Sequence, residues 1–209
     1  MTIEAPAPPR LSFQLPGRWL TVDPRDEPAA TAQVDLAVAE LVGVADDAAL
    51  ARRRLRAHLQ RAVDAARDAG AHAVFLCLEL SPGVATPASL TVHAPSGMRM
   101  SPAVGTDADA VLEVLRRSFV ELRYPGVETA TRLDGPRARM LRLERLYEEE
   151  VAEDDRTATA TRLEVQYWYA VPGSKQVVLA SCASPLGELR HAMTALFDQI
   201  ALAAAFGPQ

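Results

Sequence analysis

The chain has 209 residues and a net charge of −5; 49% of it is hydrophobic and only 5% aromatic. That length suits one domain, and that apolar share builds a core filled by Ala, Leu and Val rather than by rings. With 23% charged residues the chain is not disordered as a whole, and its mildly acidic balance argues against a surface for nucleic acid or anionic lipid.

Residues 1–10, MTIEAPAPPR, read as a frayed tail, and residues 11–206 as a single domain. The tail has no basic region followed by an apolar one and no lipidation cysteine, so no signal peptide is expected. No window approaches the roughly 18 apolar residues of a spanning helix. The expected location is the cytoplasm, with no membrane contact.

Leu11, Phe13 and Leu15 alternate with polar residues and predict a short strand, which Pro16-Gly17 turns. Trp19, Leu20 and Val22 continue extended until Pro24 and Pro28. From Thr31 the period becomes helical, with Val34, Val38, Leu41 and Val42 on one stripe and Gly43 as the stop. Asp46 opens a longer helix to about Ala69, its stripe being Leu55, Leu59, Ala62, Val63 and Ala66. Arg52, Arg53, Arg54 and Arg56 fall on its solvated side.

HAVFLCLEL (72–80) is apolar on both faces, as a central strand is, and SLTVHA (89–94) is a second strand. Thr106 caps the next helix, which buries Val111, Leu112, Leu115, Phe119 and Leu122. GVETATRLD (126–134) alternates as a strand. Residues 137–149 suit a bulged strand or a helix almost equally, and the surrounding turns and strands tip them to strand.

EEEVAEDD (148–155) reads as an acidic, solvated connector. TRLEVQYWYAV (161–171) is the clearest strand, with Leu163, Val165, Tyr167, Tyr169 and Val171 on one face and Arg162, Glu164, Gln166, Trp168 and Ala170 on the other. Pro172-Gly173-Ser174-Lys175 turns it into QVVLASCA. A last helix runs from about Pro185 to Ala205, with Leu189, Met193, Leu196, Phe197 and Ile200 toward the core. Tight turns between strands demand antiparallel pairing. The predicted class is α+β: a single antiparallel sheet of six to seven strands flanked by helices in an α/β/α sandwich.

Catalytic and phosphate-cradling motifs are absent: no GxGxxG, P-loop, HExxH or GxSxG occurs. None of the histidines has a second His or Cys at ligand spacing, and no cofactor or metal is expected. Cys77 and Cys182 lie in apolar runs and read as buried free thiols rather than a disulfide. Trp168 lies by strict alternation on its strand's polar face. Left open it is a binding hot spot; beneath a helix it is core.

The opening LSFQLPGRWLTVD, with Phe13, Pro16, Gly17 and Trp19, resembles the start of the PsbP/Mog-like fold family. There a first strand is followed by a turn and a tryptophan packed on the sheet. The long C-terminal hairpin and final amphipathic helix are similar too. The resemblance implies binding or assembly rather than catalysis, since the family includes photosystem accessory proteins, an import factor and LpqN-type lipoproteins of actinobacteria. This chain departs from the lipoproteins in lacking a signal and a lipidation cysteine.

Three functions are therefore compatible with these residues. The first is a non-catalytic accessory or protein-interaction domain, binding a partner or its own copy (a homodimer) through a sheet edge or the hairpin around Lys175. The second is a small-ligand domain with a pocket between sheet and helices lined by Trp19, Tyr167 and Trp168. The third is an enzyme combining His72, His93 and a carboxylate.

Overall fold

The computed structural model describes residues 10–43, 48–95, 105–153 and 156–207, with residues 151–153 and 156–158 described in backbone only. The elements run β1 (Leu11–Ser12), β2 (Arg18–Val22), α1 (Glu27–Val42), α2 (Ala49–Asp68), β3 (Ala73–Glu79), β4 (Ser89–His93) and α3 (Ala108–Glu121). Then come β5 (Thr131–Asp134), β6 (Arg139–Glu153), β7 (Arg156–Ala170), β8 (Val177–Ser184), α4 (Arg190–Ala203) and β9 (Ala205–Phe206). Seven strands form one antiparallel sheet in the order β2-β3-β4-β8-β7-β6-β5, and β1 pairs with β9 in a small second sheet.

Alternation along the strands sorts side chains to two layers. Tyr167, Tyr169 and Val165 of β7 lie under Met193, Phe197 and Ile200 of α4. On the opposite face, Trp168 and Ala170, with Leu141 and Leu143 of β6, lie under Val111, Leu115 and Phe119 of α3. On that same face, Val22 of β2 and Val74 and Leu76 of β3 are covered by Val34 and Val38 of α1 and Leu59 and Val63 of α2. The α+β sandwich expected from the turns and periods is the fold observed, and of residues 137–149 those from Arg139 onward are strand.

Several boundaries differ from the pattern. α1 begins at Glu27, not at Thr31: Asp26 caps it by accepting from the Ala29 amide at 3.1 Å, and Pro28 sits in its first turn, where a missing N–H costs nothing. α3 is capped by Asp107, whose side chain accepts from the amides of Asp109 and Ala110. Leu122 falls just past the end of α3 and is 76% exposed rather than buried. The stretch before β5 opens as a 3-10 turn, Val127–Thr129. The last helix starts at Arg190, after a 3-10 turn over Gly187–Leu189, which leaves Leu189 exposed. Asp46 lies outside the described residues.

The largest difference concerns the acidic connector. β6 and β7 continue through it as two fifteen-residue strands, paired from Met140↔Tyr169 to Glu153↔Arg156. β8 accompanies β7 only from Leu163 onward, so the distal half of the hairpin stands beyond the sheet as an arm. Gly187 clamps its root: a Cβ there would lie 2.5 Å from the Thr161 carbonyl oxygen.

Candidate functional site

Tyr167 and Trp168 are consecutive in β7 and so point to opposite faces. Trp168 is 4% exposed. It packs edge-on against Phe119 and Tyr124, and its Nε1 donates to Gln166 Oε1 at 3.1 Å, as does the Tyr124 hydroxyl at 3.0 Å. α3 covers it, so it is core and not a surface hot spot. Tyr167 is fully buried beneath α4, where its hydroxyl donates to Asp198 Oδ1 at 2.7 Å and Arg142 donates to Oδ2 at 2.6 Å. Burial, with Cys182 and Asp198 nearby, raises the Tyr167 hydroxyl far above the usual tyrosine range. Trp19 is half-buried in β2, with Nε1 donating to the Pro16 carbonyl at 2.7 Å. Lys175 sits half-buried in the β7–β8 turn. These four side chains do not meet, and the pocket expected from Trp19, Tyr167 and Trp168 together does not form.

The β3–β4 register brings His72 beside His93. Burial, then the Arg25 charge and the neighbouring imidazole, lower the His72 pKa; burial also lowers that of His93. His93 Nε2 lies 3.0 Å from Thr91 Oγ1. The nearby carboxylate, Asp23, is already bound by the Arg25 backbone amide and guanidinium, whose side-chain hydrogen bond holds its pKa down at about 2. Asp23 thus faces Arg25, with no hydrogen bond to either imidazole among those of the described residues. Among the described residues no cluster of His, Cys, Asp and Glu could hold a metal ion. Cys77 and Cys182 are free, and burial pushes the Cys77 thiol up to about 11 and the Cys182 thiol higher still.

The sheet's two ends differ in kind. At one end lie β5 and the outer side of β6. β5 is four residues long and carries Arg132 and Asp134; Arg132 and Arg139 both pair with Asp109, and Arg132 also pairs with Asp134. Beyond β5, both the N–H and the C=O of Glu144 engage Thr129 Oγ1, so residue 144 faces the edge. A period of two then turns Leu146, Glu148 and Glu150 the same way. Short, charged strands are how proteins block edge-to-edge pairing. A cleft of about 600 Å³ at this end, lined by Tyr124, Gly126, Glu144, Arg145 and Arg190, holds the Arg190–Glu144 ion pair at 2.5 Å in its wall.

At the other end β2, with sequence RWLTV, pairs only with β3. It has one charge and no proline. The Cys77 amide donates to the Ala88 carbonyl, so odd residues of β3 face β4 and even ones face β2. Leu76 and Val74 pair with Leu20 and Val22, whose amides are thereby used inward. The N–H and C=O groups of Trp19 and Thr21 point outward, unpaired by any described strand. Beside this edge lies a groove of about 480 Å³ between β2 and α1, lined by Trp19, Leu20, Gln33, Leu36, Ala37 and Glu40. The exposed side of α1 carries Ala29, Ala32, Leu36 and Ala39 together with Glu27, Thr31, Gln33 and Glu40, and Leu36 is 71% exposed.

No family model matches this chain, and no curated protein does. A crystal structure from Bacteroides thetaiotaomicron VPI-5482 is similar over 66% of this chain and 39% of that one, at 12% identity and a TM-score of 0.35. The chain thus spans well under half of that protein. None of these comparisons supports the PsbP/Mog-like resemblance. Among the described residues no helix is long and apolar enough to cross a membrane.

Proposed function

We propose that this chain is a non-catalytic protein-interaction domain whose binding surface is the outer edge of β2 with the exposed side of α1. The observation that carries this reading is the unguarded edge itself: outward amides at Trp19 and Thr21, with the exposed Leu36 beside them. Strand addition at such an edge takes its affinity from main-chain hydrogen bonds and its specificity from the adjoining groove. The same class of role is what the PsbP/Mog-like pattern implies. Two unpaired thiols in the sheet favour a reducing compartment, in keeping with the cytoplasm.

The test is affinity capture with the wild-type chain beside Thr21→Pro and Leu36→Glu. Thr21 N–H points outward, so proline there leaves the β2–β3 ladder intact; Leu36 is solvent-exposed. Folding of each variant is checked by circular dichroism. The expected result is at least one bound protein, another copy of this chain included, that both variants lose. Capture unaffected by either change refutes the reading.

A further inference from the structure

We infer that the occupant of the β2 edge is a second copy of this chain, joined about a two-fold axis at Leu20, so that two sheets merge into one. This rests on the interaction reading above and names its partner. Antiparallel pairing centred on Leu20 sets Trp19 of one copy opposite Thr21 of the other. Those are the residues whose amides point outward, so each pair exchanges two N–H···O=C bonds and the outward groups of both strands are satisfied. A register shifted by one residue would match outward amides with inward ones.

Side chains fit the same symmetry. Arg18 falls opposite Val22, so no like charges meet across the strands. Arg18 is bound to Glu40 at 2.6 Å, while Val22 shares a core with Ala30, so α1 runs antiparallel to β2. Leu36 and Leu20 line one groove, which brings the two copies of Leu36 together near the axis. The two Glu40 residues are carried to opposite ends and face the small Ala32 side of the partner helix. The patch therefore holds one cation and one anion, Arg18 and Glu40, and a strand edge together with a helix side on which Leu36 stands among Ala29, Ala32 and the uncharged Gln33. A two-fold contact needs a surface complementary to itself, and this one is. A lone extended peptide would satisfy the edge but leave the outer side of α1 in water. The acidic β6 edge cannot serve in this way, because self-pairing there would set Glu148 and Glu150 against their own copies.

The experiment is light scattering coupled to size exclusion on the full chain, up to about 100 µM loaded, a range that detects micromolar association. The wild type is expected at twice the chain mass, and Leu36→Glu and Thr21→Pro are each expected to weaken association by about tenfold or more. Leu36→Met serves as the conservative control and is expected to keep the dimer. A strictly monomeric wild type overturns the inference. If that monomer still captures another protein in a Leu36- and Thr21-dependent way, the interaction reading stands without the dimer. A dimer that both variants leave intact overturns the two together.

Discussion

The two tryptophans should differ sharply in what they contribute, and Trp168 is the sharper case. It is 4% exposed, 5.0 Å from the Phe119 ring centroid and 6.1 Å from that of Tyr124, both edge-on. Truncating a buried indole to alanine costs about 3–5 kcal/mol in lost transfer energy and cavity formation. Edge-to-face pairs of about 0.5–1.5 kcal/mol each place this site toward the upper end. No extra penalty arises from Gln166, because its Oε1 keeps the Tyr124 hydroxyl as a donor. Trp168→Ala is therefore expected to remove about 4–5 kcal/mol, close to the whole stability of a marginal domain. Trp168→Phe keeps a ring in the cluster and should lose about 1–2 kcal/mol, which keeps the test open if the alanine variant does not fold. Trp19, half-buried and hydrogen-bonded within its own turn, should lose about 1–3 kcal/mol as alanine. Urea unfolding followed by far-ultraviolet circular dichroism measures all three. A Trp168→Ala loss below about 2 kcal/mol, or a larger loss at Trp19, would falsify the assignment of Trp168 to the core beneath α3.

Gly187→Ala should destabilise by about 2 kcal/mol or more, because its Cβ would meet Thr161 backbone at 2.5 Å, and proteolysis of the β6–β7 arm should quicken with it. Replacing Asp198 with alanine strands the buried Tyr167 hydroxyl and leaves Arg142 without its carboxylate, for an expected loss of about 2–4 kcal/mol. Tyr167→Phe, which deletes only the donor, should lose about 1 kcal/mol; equal effects in the two variants would rule out the paired arrangement. Thermal stability should fall as the pH drops below about 6.5, because the folded state lowers the pKa of His72 and His93 and the unfolded chain takes up protons first. His93→Gln should flatten that slope, and an unchanged pH profile would count against the buried pair.

Much of this architecture can be read from local pattern. Residues 161–170 send side chains to opposite faces in turn, and Tyr167 and Trp168 lie on the faces that alternation assigns them. The stripes of α2, α3 and the core of α4 follow their helical period. What escapes is whatever depends on distant pairing. Residues 148–153 have no strand signal of their own; they are strand because the β6–β7 ladder pairs them with residues 156–161. Leu122 and Leu189 keep the helical period yet stand at helix ends, where the face they would cover has run out. Pro28 is a breaker by composition and a first-turn residue in fact. RWLTV reads as a strand, but its place at the end of the sheet is set by β4 pairing with β8, residues far apart in the chain.

That place gives the Pro16-Gly17-Arg18-Trp19 turn a further role. Gly17 has φ +79°, and a Cβ there would lie 2.2 Å from the Glu79 carbonyl oxygen, so the turn presses its backbone directly on the end of β3. No side chain fits that contact, and L-residues seldom take that φ. The register shift between Arg18 and Trp19 follows at once, and it decides which β2 amides face outward. The Trp19 ring, held to Pro16, then fixes the strand against the sheet. An edge held this firmly loses little entropy on pairing, which is the property that favours strand addition over fraying. At the other end of the sheet the chain does the opposite, with a four-residue strand, a charge cluster and a run of glutamates. This contrast between a charged, short edge and a pinned one with a single charge is the physical ground for the pairing proposed at β2.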